Sequence, residues 1–118
     1  MSEVARVAAR EARLVAEPLD RVQVLEGDPQ PASFVVATLP DGTESGVWRC
    51  TPGRFRDVEV DETFVVIEGR ATIEFEGRAV DVGPGDVCVL SAGAETVWTV
   101  HETLLKGYAL GKNHLVVA

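Results

Sequence analysis

The stretch Asp61-Glu62-Thr63-Phe64-Val65-Val66-Ile67-Glu68-Gly69 decides the fold. A carboxylate enters a short apolar run rich in β-branched and aromatic side chains, and Glu-Gly closes it. Branched side chains pack well on a pleated surface, and glycine takes backbone angles that other residues avoid, so the run reads as a strand with a turn. Moving outward, Ala71–Phe75 is a second run, joined to the first by Gly69-Arg70, and Glu76-Gly77 turns the chain into Arg78–Val82. Gly83-Pro84-Gly85-Asp86 opens Val87–Leu90, Ser91-Ala92-Gly93-Ala94 makes the next turn, and Val97–Val100 and Leu104–Leu110 end the series. Upstream, Phe34–Leu39 meets the tight turn Pro40-Asp41-Gly42-Thr43, and Gly46–Thr51 leads to Pro52-Gly53. Short strands with glycine turns and no central helix predict an all-β antiparallel sandwich or barrel.

With 118 residues, 46% of them apolar, the chain is long enough for one domain around a single core. Its two cysteines, Cys50 and Cys88, stand in no paired motif, so they read as reduced thiols rather than a zinc ribbon or a disulfide framework. No apolar leader opens the sequence, and no apolar run approaches the roughly 18 residues that a span needs. A cytoplasmic protein away from membranes is the expectation. The net charge of −8 opposes binding to nucleic acid, whose phosphates require clustered cations. Arginine outnumbers lysine nine to two, which makes Lys106 conspicuous.

Residues 1–33 read as an N-terminal arm and connection, and residues 34–118 as the barrel. Within the arm, Val4, Val7, Ala8 and Val15 stand near helical spacing, so a short amphipathic helix and an extended arm fit about equally. Two prolines and a glycine make residues 26–33 read as an irregular connection.

The ordered set Gly46-Val47-Trp48-Arg49-Cys50-Thr51-Pro52-Gly53, Asp61-Glu62, Glu68-Gly69, Gly85-Asp86, Ala92-Gly93, Trp98 and Lys106-Gly107-Tyr108 resembles the cupins. Within them it is most similar to the branch that contains ureidoglycine aminohydrolase-like and ethanolamine-utilisation Q-type proteins. The resemblance covers residues 34–110. It implies a double-stranded β-helix, or jelly roll, with a pocket in the barrel mouth, and a homodimer. Metal-binding cupins place a His-x-His pair shortly before a glutamate and one more histidine in a second motif. Here Glu62 falls on that glutamate, the pair falls among Phe55, Arg56, Asp57 and Val58, and the last histidine falls on Thr96. First-row metals in such a mouth want imidazole nitrogens, so neither a metal nor another cofactor is expected. Asp57, Glu59, Asp61 and Glu62 read as a solvated acidic strand edge, and His101 and His114 have no partner at ligand spacing.

Alternation along strands groups the remaining candidates. Phe64 shares a face with Glu62, Trp98 with Thr96, Tyr108 with Lys106, and Cys50 with Trp48. An acid, a lysine, a phenol and one or two indoles then converge on one apolar cavity, the usual look of a small-ligand site. Glu62 and Lys106 are the candidate base and electrostatic clamp, and Tyr108 a donor to a developing oxyanion. Trp48, Cys50, Phe64, Thr96 and Trp98 are candidate ligand contacts. Cys50 lacks a histidine base and is not read as a nucleophile. The opposing structural reading makes Glu62 and Lys106 an ion pair that closes the barrel, capped by Tyr108. Three functions fit: binding of a small polar metabolite such as a carboxylate or sugar, metal-independent acid–base catalysis of the isomerase, lyase or hydrolase type, or a structural dimerisation module with a vestigial pocket.

Overall fold

Nine antiparallel strands, in a computed structural model that describes residues 3–111, curl into a jelly roll. They are β1 (Val15–Ala16), β2 (Val24–Gly27), β3 (Pro31–Thr38), β4 (Glu44–Cys50), β5 (Gly53–Val58), β6 (Glu62–Phe75), β7 (Arg78–Val82), β8 (Val87–Leu90) and β9 (Glu95–Leu110). The last seven residues of the barrel span, 112–118, with His114 among them, lie outside the described chain.

Two long strands organise the fold. In the sheet order β1-β3-β4-β9-β5-β2, β9 pairs with β4 through Leu104–Ala109 and with β5 through Glu95–Val100. On its other side β9 runs along the whole of β6, which pairs with β8 through its first half and with β7 through its second. Register shifts between Val66 and Ala71 bend the β6–β9 ribbon midway, so that its halves belong to different walls of the barrel. Gly69 sits at this bend with φ +86°, and a Cβ there would lie 2.1 Å from the Thr103 carbonyl oxygen. Gly69-Arg70 therefore forms a bulge inside one strand rather than a turn between two. A glycine in an apolar run signals either outcome, and the pairing partner decides which.

The other turns form where glycine predicts them. Leu39 and Thr43 close the Asp41-Gly42 hairpin, and the Gly83 N–H donates to the Asp86 carboxylate at 2.8 Å. The span 26–33 is more regular than its prolines suggest. Pro31 is the first residue of β3, where a missing N–H costs nothing, and Gly27 ends β2 against Gly53. Upstream, the described arm holds two single 3-10 turns, Ala9–Glu11 and Arg21–Gln23; the rest is extended, and its β1 pairs with β3. Arg10 forms an ion pair with Glu68 at the bend, so the arm lies on its own barrel. Inside the curl, Phe64, Val66, Ala71, Ile73, Trp98, Val100 and Leu104 form the core. No helix among the described residues is long and apolar enough to cross a membrane.

Candidate functional site

Sequence alternation carries Trp48 on β4, Phe55 and Asp57 on β5, Glu62 at the start of β6, and Trp98, Lys106 and Tyr108 on β9 to one cavity of about 320 Å³. The register explains why they meet. Trp48 lies opposite Lys106, Phe55 opposite Trp98, and Gly46 opposite Tyr108. The chain has two tryptophans, one tyrosine and four phenylalanines, and all but two of the phenylalanines gather at this end. Trp98 is the hub. Its ring stacks on Phe55 with centroids 6.2 Å apart and tilts against Trp48 and Phe64 at 5.9 and 5.8 Å.

Lys106 reaches into this aromatic nest. Its Nζ is 2.6 Å from Glu62 Oε2 and lies 4.3, 4.6 and 5.0 Å from the ring centroids of Phe64, Trp48 and Trp98. Only 5% of the residue is exposed, so the ammonium is held by one carboxylate and three ring faces rather than by bulk water. The ion pair that the structural reading expects is thus present, and it forms part of the cavity wall.

Tyr108 does not cap that pair. Its hydroxyl donates to Glu44 Oε2 at 2.8 Å, across the backbone of Gly46, where a Cβ would sit 2.8 Å from the phenol oxygen. Burial, then the bond to Glu44, pushes the phenol well above its ordinary value, so Tyr108 stays protonated at neutral pH and acts as a donor. Thr96 and Trp98 both donate to Glu59 Oε2, at 2.7 and 2.9 Å. Glu59 is therefore a buried acceptor and not part of a solvated acidic edge. Its signal is visible in the sequence, because Phe55, Asp57 and Glu59 alternate with Arg54, Arg56 and Val58, and the apolar Phe55 sets the phase. Asp57, on the same face, has its carboxyl pushed up to about 6, first by burial and then by the Glu59 charge. Asp61 instead accepts from the Ala92 N–H, a turn contact. Glu17, Ser33 and Glu44 complete the acidic side, with Ser33 donating to Glu17. Nothing in the sequence singles out these three, since their approach depends on the β1–β3–β4 pairing.

Of the candidate ligand contacts, Trp48 and Trp98 line the cavity, whereas Cys50 and Phe64 are packed in the core behind it and Thr96 supports Glu59. The Cys50 thiol is fully buried, and burial raises it to about 12, which keeps it protonated and unreactive. His101 is remote, with Nε2 2.8 Å from the Thr72 hydroxyl on the outer surface of the β6–β9 ribbon.

A sequence model of the EutQ-like cupin domain matches residues 39–108, a span that runs from the β3–β4 turn to Tyr108 and includes most of the cavity wall. The chain belongs to the EutQ-like cupin family. Solved structures agree. A protein of unknown function from Pseudomonas syringae pv. tomato superposes with a TM-score of 0.79 at 28% identity, covering 86% of this chain and 46% of that one. Another of unknown function, from Rhizobium leguminosarum bv. viciae, gives 0.64 at 24% identity over 70% of this chain and 82% of that one. The EutQ protein of Clostridium difficile gives 0.62 at 20% identity over 70% and 68%. No match is found among curated proteins. In this EutQ-like cupin, the positions that the resemblance assigns to metal ligands fall among Phe55, Arg56, Asp57 and Val58 for the histidine pair, and on Glu62 and Thr96. Among the described residues, no group of three or more histidine, cysteine, aspartate or glutamate side chains is arranged to hold a metal ion.

Proposed function

We propose that this EutQ-like cupin binds a small polar metabolite in the cavity between β3, β4, β5, the start of β6 and β9. One observation carries the reading: polar groups of three kinds, the Glu62–Lys106 pair, the Tyr108–Glu44 pair and the carboxylate of Asp57, converge on a cavity of about 320 Å³ walled by two indoles. A few placed polar groups in an aromatic cleft of this volume is the ordinary composition of a ligand pocket. Thermal-shift screening with metabolites tests it. A ligand at 100 times its dissociation constant adds about 2.7 kcal/mol of stability, a clear rise in melting temperature. A blank screen across amines, sugars and acids would remove the reading.

The donor set does not fit the family's metal. The Glu62 carboxylate faces an ammonium at 2.6 Å, and the Thr96 hydroxyl is committed to Glu59. Elemental mass spectrometry of the untagged, chelator-free protein checks the point: below about a tenth of an equivalent of manganese, iron, nickel or zinc is the expected result.

A second reading, metal-independent acid–base catalysis, is favoured by the short Glu62–Lys106 contact. Glu62 would accept a proton from the bound metabolite while Lys106 stabilises the anion formed, and Tyr108 would donate to a developing oxyanion. In that case Glu62→Gln abolishes turnover and largely spares binding. Turnover that survives the substitution takes Glu62 out of the mechanism. The third reading, a structural module with a vestigial pocket, predicts the blank screen.

A further inference from the structure

The charge and hydrogen-bond inventory of the cavity specifies its ligand more narrowly. Five carboxylates face it, those of Glu17, Glu44, Asp57, Glu59 and Glu62, against the single ammonium of Lys106. That ammonium is already neutralised within the wall by Glu62. The hydroxyl donors and the Trp98 indole N–H are also committed: Ser33 to Glu17, Tyr108 to Glu44, and Thr96 and Trp98 to Glu59. Asp57 accepts only the N–H of its neighbour Val58. What faces an incoming molecule is therefore mostly acceptor oxygens under net negative charge, beside the ring faces of Trp48 and Trp98. The wall also shows what such chemistry holds, because the Lys106 ammonium rests on those two indoles and on Phe64.

Resting on the reading of this cavity as a metabolite pocket, we propose that its ligand is an organic ammonium, a primary or alkylated amine whose charged head meets the Asp57 carboxylate and the indole faces. A carboxylate ligand would face like charge, with Lys106 already paired. A hydrated metal ion gains nothing from the aromatic walls, and one ion leaves most of the 320 Å³ unfilled.

The chain has two tryptophans, and both line the cavity, so the two indole N–H signals of the full-length 15N-labelled protein report on it directly. The probes are matched series with butyl and phenethyl tails, each as ammonium, alcohol and carboxylate, with magnesium chloride as the inorganic cation. The expected result is a saturable shift of both indole signals with the ammonium members only. Asp57→Asn should weaken that binding by about tenfold or more, the scale of losing one close charge in a partly buried site, and Glu44→Gln should weaken it in the same direction. Tighter binding of the alcohols, the carboxylates or magnesium overturns the assignment while leaving the cavity a ligand site. Undiminished affinity in both variants overturns it as well. If neither ammonium produces a saturable shift, the amine assignment falls, and the pocket reading falls with it only if the thermal screen is also blank.

Discussion

Asp57 shows how the site trades stability for charge at the level of one residue. Its carboxyl sits near 6 in the folded chain against an ordinary value of 3.8, so the folded state holds the proton more tightly than the unfolded one. Stability attributable to this group therefore falls as pH rises through that window, and the full cost persists above about 6. Asp57→Asn should raise the melting temperature at pH 8 and leave it unchanged about one and a half pH units below the ordinary value of 3.8, where both states are protonated; an equal shift at both pH values would mean that packing, not charge, is responsible. The neighbouring ion pair behaves differently. Lys106 and Glu62 are both nearly buried, so Lys106→Met alone strands a carboxylate and should cost about 3–5 kcal/mol in urea denaturation. Adding Glu62→Leu should recover most of that loss, because a buried pair is often replaceable by apolar side chains. A double variant as unstable as the single one would show that the pair itself holds the wall together. Alternation places Glu62 and Lys106 on inward faces, and both do line the cavity. Glu59 follows the same rule in phase with Phe55, but the acidic run around it hides that phase in the sequence.

Among the elements, the β6–β9 ribbon sets where the cavity forms. Its bend at Gly69 lets the first half of β6 carry Glu62 to one wall while the second half carries Ile73 beneath Trp98. Gly69→Ala forces a left-handed backbone on alanine and drives its Cβ into the Thr103 carbonyl, so a loss of about 3 kcal/mol or more is expected. Gly77 has a comparable φ of +74°, but a Cβ there meets nothing within 4 Å, and Gly77→Ala should cost only about 1–2 kcal/mol. Paired urea melts test the contrast; equal losses would mean that the close approach at the bend relaxes freely. The sequence marks both positions as glycine in a strand-like context. It does not say that one is a hairpin turn and the other a bulge, because that depends on whether the next strand pairs with its neighbour or continues along β9.

For the whole molecule, the outer face of β6 and β8 leaves Val65, Val87 and Val89 exposed, and the arm residues Val7 and Ala9 border the same face. A second copy is the expected cover, giving a light-scattering mass twice the 12.7 kDa of the chain. Val65→Glu with Val87→Lys should return the monomer mass; a wild-type mass of 12.7 kDa would end that expectation. Strand composition, glycine turns and the ordered motif from Gly46 to Tyr108 determined the jelly roll and the family without tertiary information. These signals are local, and each short window carries its own periodicity. Which carboxylates share the cavity was decided only when β3, β4, β5 and β9 came side by side. Glu17, Glu44, the Asp57–Glu59 pair and Glu62 come from four separate segments. Only Asp57 and Glu59 are neighbours along the chain, and the rest of the negative field arises from proximity across strands.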